Sequence, residues 1–179
     1  SYKVAGSALE ALSELDADTA YVIARSLVKT QPGGELSSAV WSIIGRRGAD
    51  EDIALLREKV PYTWGGKGMS MASVLNNYLK KVSAPASYAG AARLYSDLVI
   101  HETARSYRSG AAGFFFQAAA AARADLKQAE QAADKDKVAR ATERLTVLRS
   151  EAQRIVDAEK EEELKTKFGK MLNDNFNKE

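Results

Sequence analysis

The chain has 179 residues but no cysteine, only three prolines and a single histidine. Without cysteine it can form no disulfide bond, no thiolate metal site and no cysteine nucleophile. The scarcity of proline, beside abundant alanine, favours helix over strand. No run of about 18 apolar residues occurs, so the sequence predicts no membrane-spanning helix.

Positive and negative side chains nearly balance, because the formal net charge is only +2. Residues 1–122 carry 13 basic and 11 acidic side chains, and residues 123–179 carry 13 of each. Neither part has the basic surplus typical of nucleic-acid-binding proteins, so we expect no nucleic-acid partner. Hydrophobic residues make up 45% of the chain, enough for a globular core. We expect a soluble protein that resides in either the cytoplasm or the periplasm.

Apolar residues recur at spacings of three and four along almost the whole chain, which predicts an all-α fold. This spacing already begins at Val4, Ala8, Leu12 and Leu15, and no initiator methionine precedes it, so we expect an excised domain or a processed product. Capping and breaking residues such as Asp16 and Gly48 divide the pattern into helices. The predicted helices cover about residues 3–14, 18–30, 35–46, 50–60, 71–82 and 88–99, with a loop over 61–68.

The spacing of the helices predicts two parts. Residues 1–108 are expected to form a HEAT-like stack of helix pairs. Residues 109–172 are expected to form a long antiparallel hairpin, whose alanine-rich seam around Ala122 lets two helices approach closely. The second hairpin helix is expected to continue through 157–163, after which Leu164, Phe168 and Met171 return to the core. Residues 173–179 are predicted to be a frayed tail.

The only histidine lies in His101-Glu102-Thr103-Ala104-Arg105. The zinc-peptidase motif needs a second histidine four residues after the first, so that both face one metal. Arg105 occupies that position and cannot bind a metal. His101 is either a lone ligand or general base, or a surface residue near a helix end, and the second interpretation is favoured. We therefore predict no catalytic residue and no metal ligand in this chain.

Three other segments have alternative interpretations. Gly66-Lys67 resembles a phosphate-binding loop, but Gly68 stands where Ser or Thr is required and no strand precedes it, so a turn is predicted. Phe114–Phe116 is either an exposed patch or core, and core is predicted. Arg105 and Arg108 follow the end of a helical pattern and precede Ser109-Gly110. They either bind a carboxylate through their guanidinium groups or lie in a solvated loop.

The opening of the chain carries a family resemblance, in Ser1-Tyr2-Lys3-Val4, Leu9-Glu10-Ala11-Leu12, Glu14-Leu15-Asp16 and Ala20-Tyr21. It resembles the helical C-terminal domain of M1-family zinc aminopeptidases of the Bacteroidetes type. The helical pairs, Tyr78-Leu79-Lys80-Lys81 and the alanine-rich hairpin are similar as well. The resemblance covers most of the chain but includes no diagnostic motif.

The resemblance implies a non-catalytic accessory domain. In that family a preceding domain carries the zinc, the His-Glu-x-x-His motif and the Gly-x-Met-Glu-Asn segment, none of which occurs here. The fragment would hold no cofactor and would be inactive alone. It would pack on the catalytic domain of the same polypeptide and wall its substrate chamber. Arg105 and Arg108 are the candidates for contacting the peptide substrate. The alternative is an independent helical-repeat scaffold that binds a protein partner.

Overall fold

The structure, a computed structural model, describes residues 1–59 and 68–176, without the side chains of 68–70. Within these ranges the chain forms nine α-helices and no strand, so the all-α prediction is confirmed. The helices are α1 Tyr2–Leu15, α2 Ala17–Val28, α3 Gly34–Arg47, α4 Asp52–Lys59, α5 Gly68–Lys81, α6 Pro85–His101, α7 Arg105–Gln131, α8 Lys135–Ala158 and α9 Glu162–Phe176.

Short polar or glycine links set the helix boundaries. Asp16 alone separates α1 from α2, and its carboxylate accepts a hydrogen bond of 3.0 Å from the backbone N–H of Thr19. Gly48 ends α3 with a φ of 61°, in the left-handed region that glycine adopts without strain. Asp134 begins α8 by accepting a 3.1 Å bond from the N–H of Lys137. Capping aspartates and helix-ending glycines of this kind can be recognised from the sequence alone.

The helices pack into one continuous hydrophobic core. Helices α1, α2 and α3 contact one another, and α3 also packs on α5. Helix α4 packs on α6, while α5 contacts both α6 and α7, and α6 contacts α7 and α8. Helices α7, α8 and α9 contact one another in pairs. The contacts from α3 to α5 and from α4 to α6 skip a helix, so packing is not confined to consecutive pairs. The HEAT-like arrangement remains a prediction.

Aromatic side chains fill the centre of the core. The rings of Tyr95 and Phe115 meet edge to face with centroids 5.2 Å apart, and Phe115 meets Phe116 at 6.1 Å. Both phenylalanines are buried, and Phe114 is partly buried against the same core. The prediction that Phe114–Phe116 packs inward is therefore confirmed.

The end of the chain differs from the sequence-based prediction. Helix α8 ends at Ala158 instead of continuing through residue 163, because Glu159 binds Arg108 and the backbone of the following link. The chain then forms α9, which returns Leu164 and Phe168 to the core as predicted, with Met171 partly buried. Helix α9 includes residues 173–176, which were expected to be frayed. Residues 177–179 lie outside the described residues.

The region around residue 108 also differs. Helix α7 begins at Arg105, so Arg108 and Ser109-Gly110 lie within its first two turns and form no inter-helix loop. The backbone N–H of Arg108 donates to the carbonyl of Ala104 at 2.9 Å, as in any first helical turn. The boundary between 108 and 109 therefore falls inside a helix. The predicted loop over 61–68 lies outside the described residues, except that Gly68 begins α5.

Candidate functional site

Arg105 and Arg108, the predicted substrate contacts, lie together at the start of α7 and face the link between α8 and α9. Arg108 is nearly buried, with 13% of its side chain exposed, and its Nε donates to Glu159 Oε2 at 2.7 Å. It also binds Glu161, and its Nη1 donates to the backbone carbonyl of Glu102 at 3.0 Å. We call Arg108, Glu159 and Glu161 the Arg108 clip.

Glu159 is the buried partner in this clip. Its Oε1 accepts bonds of 2.9 Å from the backbone N–H groups of Lys160 and Glu161, just before α9 begins. Burial alone would raise the pKa of Glu159, but these bonds and the Arg108 guanidinium outweigh it, so the pKa lies below its ordinary value of 4.5. The Glu159 carboxylate thus lies at the end of α8, accepts hydrogen bonds from the link before α9 and pairs with Arg108 of α7.

The five N–H donors of Arg108 all point at acceptors within the chain: Glu159, Glu161 and the carbonyls of Glu102 and Thr103. A substrate carboxylate would have to displace one of them. Arg105 is half exposed and pairs with Glu161 and Glu163. Both arginines therefore hold α9 against α7 in this structure. Contact with a peptide substrate remains a prediction for each of them.

His101 is the last residue of α6 and is exposed. This position agrees with the interpretation of a surface residue at a helix end. In the part of the chain that the structure describes, no three histidine, aspartate or glutamate side chains are grouped to bind a metal ion.

A groove lies along the α7–α8 hairpin and has a volume of about 460 Å³. Its floor consists of small side chains, among them Ala118, Ala122 and Ala129 of α7 and Ala141 of α8. Leu79 of α5 and Tyr88 of α6 contribute to its walls. The volume falls within the range of about 300–1,000 Å³ that is usual for ligand sites. We call this feature the hairpin groove.

Basic side chains dominate the rim of the hairpin groove. Lys80, Lys137, Arg140 and Arg144 line it, against one acidic residue, Asp125. Arg144 is fixed in place, since it donates to the carbonyl of Val82 at 2.6 Å and lies over the Tyr88 ring at 4.8 Å. Burial raises the pKa of Tyr88 to about 12, so its phenol is neutral at physiological pH. The groove is therefore apolar at its floor and cationic along its rim.

Helix α1 has a second apolar face that points away from the core. Val4, Ala8, Ala11 and Leu15 follow one another at spacings of four, three and four, so they lie on one side of the helix. All four are exposed, Val4 by 69% and Leu15 by 86%. We call these four residues the outer face of α1.

The opposite side of α1 makes the contact with the rest of the fold. Leu9 is buried there, and Gly6 lies so close to α3 that an added Cβ would come within 2.7 Å of the backbone of Glu35. On the neighbouring helix α2, Val22 is 66% exposed and Ile23 is 37% exposed. The sequence pattern already contained both apolar stripes of α1, but it did not show which one faces the core.

The chain matches no protein-family model, and no curated protein and no solved structure is significantly similar to it. None of the helices in the described ranges is both long and apolar enough to cross a membrane.

Proposed function

We propose that this chain is a non-catalytic helical domain that packs on another protein domain through the outer face of α1. The observation that supports this most strongly is the exposure of Val4 and Leu15, on a helix whose other side is already packed. An amphipathic surface helix normally turns polar residues outward, and α1 turns Val4 and Leu15 outward beside the polar Lys3, Ser7 and Glu14. Such an unpartnered apolar face is typical of an interaction surface.

The energetic reason is the hydrophobic effect. Moving a fully exposed Val or Leu side chain out of water stabilises a complex by about 1.5–3 kcal/mol. Val4 and Leu15 are mostly exposed, and Val22 on the adjacent helix adds a third large side chain. A partner that covers these residues would gain much of that free energy. The chain itself gains none of it as long as they face water.

The resemblance suggests which domain that partner is. On this proposal it is the catalytic domain of an M1-family zinc aminopeptidase in the same polypeptide, and the chain walls the substrate chamber. The catalytic zinc and general base then belong to the partner domain. The likeness of Ser1–Asp16, Ala20-Tyr21, Tyr78–Lys81, the helical pairs and the alanine-rich hairpin supports this family assignment.

An independent protein-binding scaffold is the second candidate. The hairpin groove favours it, because a cationic rim over an apolar floor provides a binding surface apart from the outer face of α1. In this case the partner would be a separate protein, and no catalytic domain would precede the chain.

The reading frame upstream of the Ser1 codon distinguishes the two candidates. A His-Glu-x-x-His motif a few hundred residues upstream is the expected result for the aminopeptidase. A start codon at or near Ser1 would eliminate that assignment and leave the scaffold.

The packing surface itself can be tested with the upstream region expressed as a separate chain. Residues 1–179 should bind it, and the double variant Val4→Glu, Leu15→Glu should bind at least tenfold more weakly, since two mostly apolar contacts are lost. Thr142→Glu with Thr146→Glu, on the exposed side of α8, is the matched control and should bind normally. Equal binding by both double variants would place the contact elsewhere on the domain.

A further inference from the structure

The hairpin groove is elongated along α7. Its lining runs along α7 from Ala118 to Ala132, about 21 Å at 1.5 Å per residue. An extended chain rises about 3.3–3.4 Å per residue, so roughly six residues would fill this length.

The cations of one wall are regularly spaced. Lys137, Arg140 and Arg144 are separated by three and four residues on α8, so each is about 5–6 Å from the next. Alternate side chains of an extended peptide are about 6.7 Å apart, which is a similar interval. Acidic residues at every second position of such a peptide would thus come close to successive cations on the wall.

Two of the basic groups are available to a ligand. Arg140 and Lys80 are exposed and form no ion pair with any residue in the described ranges. Lys137 pairs with Asp134 at 3.1 Å, and Arg144 is held by the carbonyl of Val82. The rim retains an excess of positive charge even when Asp125 and Asp134 are counted.

We propose that the hairpin groove binds an extended acidic segment of a partner protein, about six residues long, in which acidic residues alternate with small apolar ones. The acidic side chains pair with Arg140, Lys80 and their basic neighbours on the rim. The apolar side chains lie on the floor formed by Ala122, Ala129 and Ala141. This site is separate from the outer face of α1 and does not depend on the family of the protein.

Fluorescence anisotropy tests the proposal with the whole chain and a labelled Glu-Val-Glu-Val-Glu-Val peptide. We expect saturable binding that weakens as salt rises. The amide peptide Gln-Val-Gln-Val-Gln-Val should not bind, because it lacks charge. Glu-Ser-Glu-Ser-Glu-Ser should bind more weakly, because serine gains less on the alanine floor. A labelled oligothymidylate of six nucleotides tests whether any polyanion suffices.

Two pairs of variants locate the site. Lys80→Gln with Arg140→Gln should weaken peptide binding about fivefold, the effect of losing two exposed charge pairs. Lys165→Gln with Lys170→Gln removes the same charge from α9 and should leave binding unchanged. Ala122→Leu should reduce binding by filling the groove, whereas Ala124→Leu, on the exposed side of α7, should not. Circular dichroism and thermal unfolding verify that each variant is folded.

Several outcomes would overturn the proposal. They are no saturable binding of the acidic peptide, equal binding of the amide peptide, and equal binding of the oligothymidylate. Equal losses of binding in the Lys80→Gln, Arg140→Gln variant and in its Lys165→Gln, Lys170→Gln control would show that net charge alone attracts the peptide. Normal binding by folded Ala122→Leu would place the peptide outside the groove.

Discussion

The two ends of the molecule differ in how many large apolar side chains they expose to water. Five of the six large apolar side chains that are exposed in the described residues belong to α1 or α2. At the other end, α7, α8 and α9 are joined by charged pairs such as Arg108 with Glu159. The N-terminal helices form charged pairs too, such as Arg46 with Glu10 and Arg47 with Asp18, but they also carry most of the large apolar side chains that face water. This difference is the reason for proposing the outer face of α1, and not the Arg108 clip, as the contact with another protein domain.

Removal of the Arg108 guanidinium should produce the largest effect among the charged pairs. Arg108→Ala leaves Glu159, which is 4% exposed, without its ion-pair partner, and breaking a buried pair costs about 3 kcal/mol. Arg105→Ala is the control, since Arg105 is half exposed and an exposed pair contributes at most about 1 kcal/mol. Urea unfolding measures both variants. Similar losses for the two would mean that the clip is not a buried interaction.

The close approach of α1 to α3 should be the next most sensitive point. Gly6→Ala adds a Cβ that would lie 2.7 Å from the backbone of Glu35, so the helices must separate at a cost of about 1–3 kcal/mol. Gly113→Ala is the matched control within α7, because nothing lies within 4 Å of its added Cβ. A helical Ala in place of Gly stabilises by about 0.5–1 kcal/mol. Melting temperatures that shift in the same direction would contradict this packing of α1.

Acid should loosen the C-terminal helices through Glu159. Because the pKa of Glu159 is lowered in the folded chain, its contribution to stability is present above its unfolded pKa and is lost as the pH falls through the folded value. We therefore expect α9 to lose stability below pH 4.5, and Glu159→Gln to reduce this pH dependence. Unfolding free energies measured from pH 7 to pH 3 provide the test. An identical pH profile for the variant would show that other carboxylates control the acid response.

The smallest effect is expected on the outer face of α1. In the isolated chain, Val4→Glu with Leu15→Glu should change the free energy of unfolding by no more than about 0.5 kcal/mol, as for other exposed substitutions. Leu9→Ala, on the packed side of the same helix, should cost about 2–5 kcal/mol. Chemical unfolding of the two variants makes the comparison. A loss above 1 kcal/mol for the double variant would mean that this face packs within the chain.

The elements of the fold that local residues determine could be predicted from the sequence. Asp16 and Gly48 separate helices through their own capping and backbone preferences, so these breaks were correctly placed. The break after Ala158 was missed, because the run Asp157–Glu163 looks uniformly helical and solvated. At that break Glu159 binds Arg108, 51 residues away in sequence, as well as the backbone of the link, and the long-range contact leaves no local signal.

The candidate surfaces were less predictable than the helices. The spacing of Val4, Ala8, Leu12 and Leu15 was visible, but the stripe that is buried contains Leu9 and Leu12, and the other three residues face water. Which stripe is buried depends on α3, through the approach of Gly6 to Glu35. The alanine seam of the hairpin was visible as well. Its opening into a groove depends on where α5 and α6 place Leu79 and Tyr88, which no local pattern indicates.

Hydrogen–deuterium exchange of α1 tests the proposed packing surface most directly. The exchange of peptides covering residues 2–15 would be compared between the isolated chain 1–179 and the complete gene product. Peptides covering α8 serve as the internal reference, because the proposed contact does not involve that helix. We predict slower exchange of α1 in the complete product and equal exchange of α8. Equal exchange of α1 in the two samples would contradict packing of the outer face on a domain of the same polypeptide.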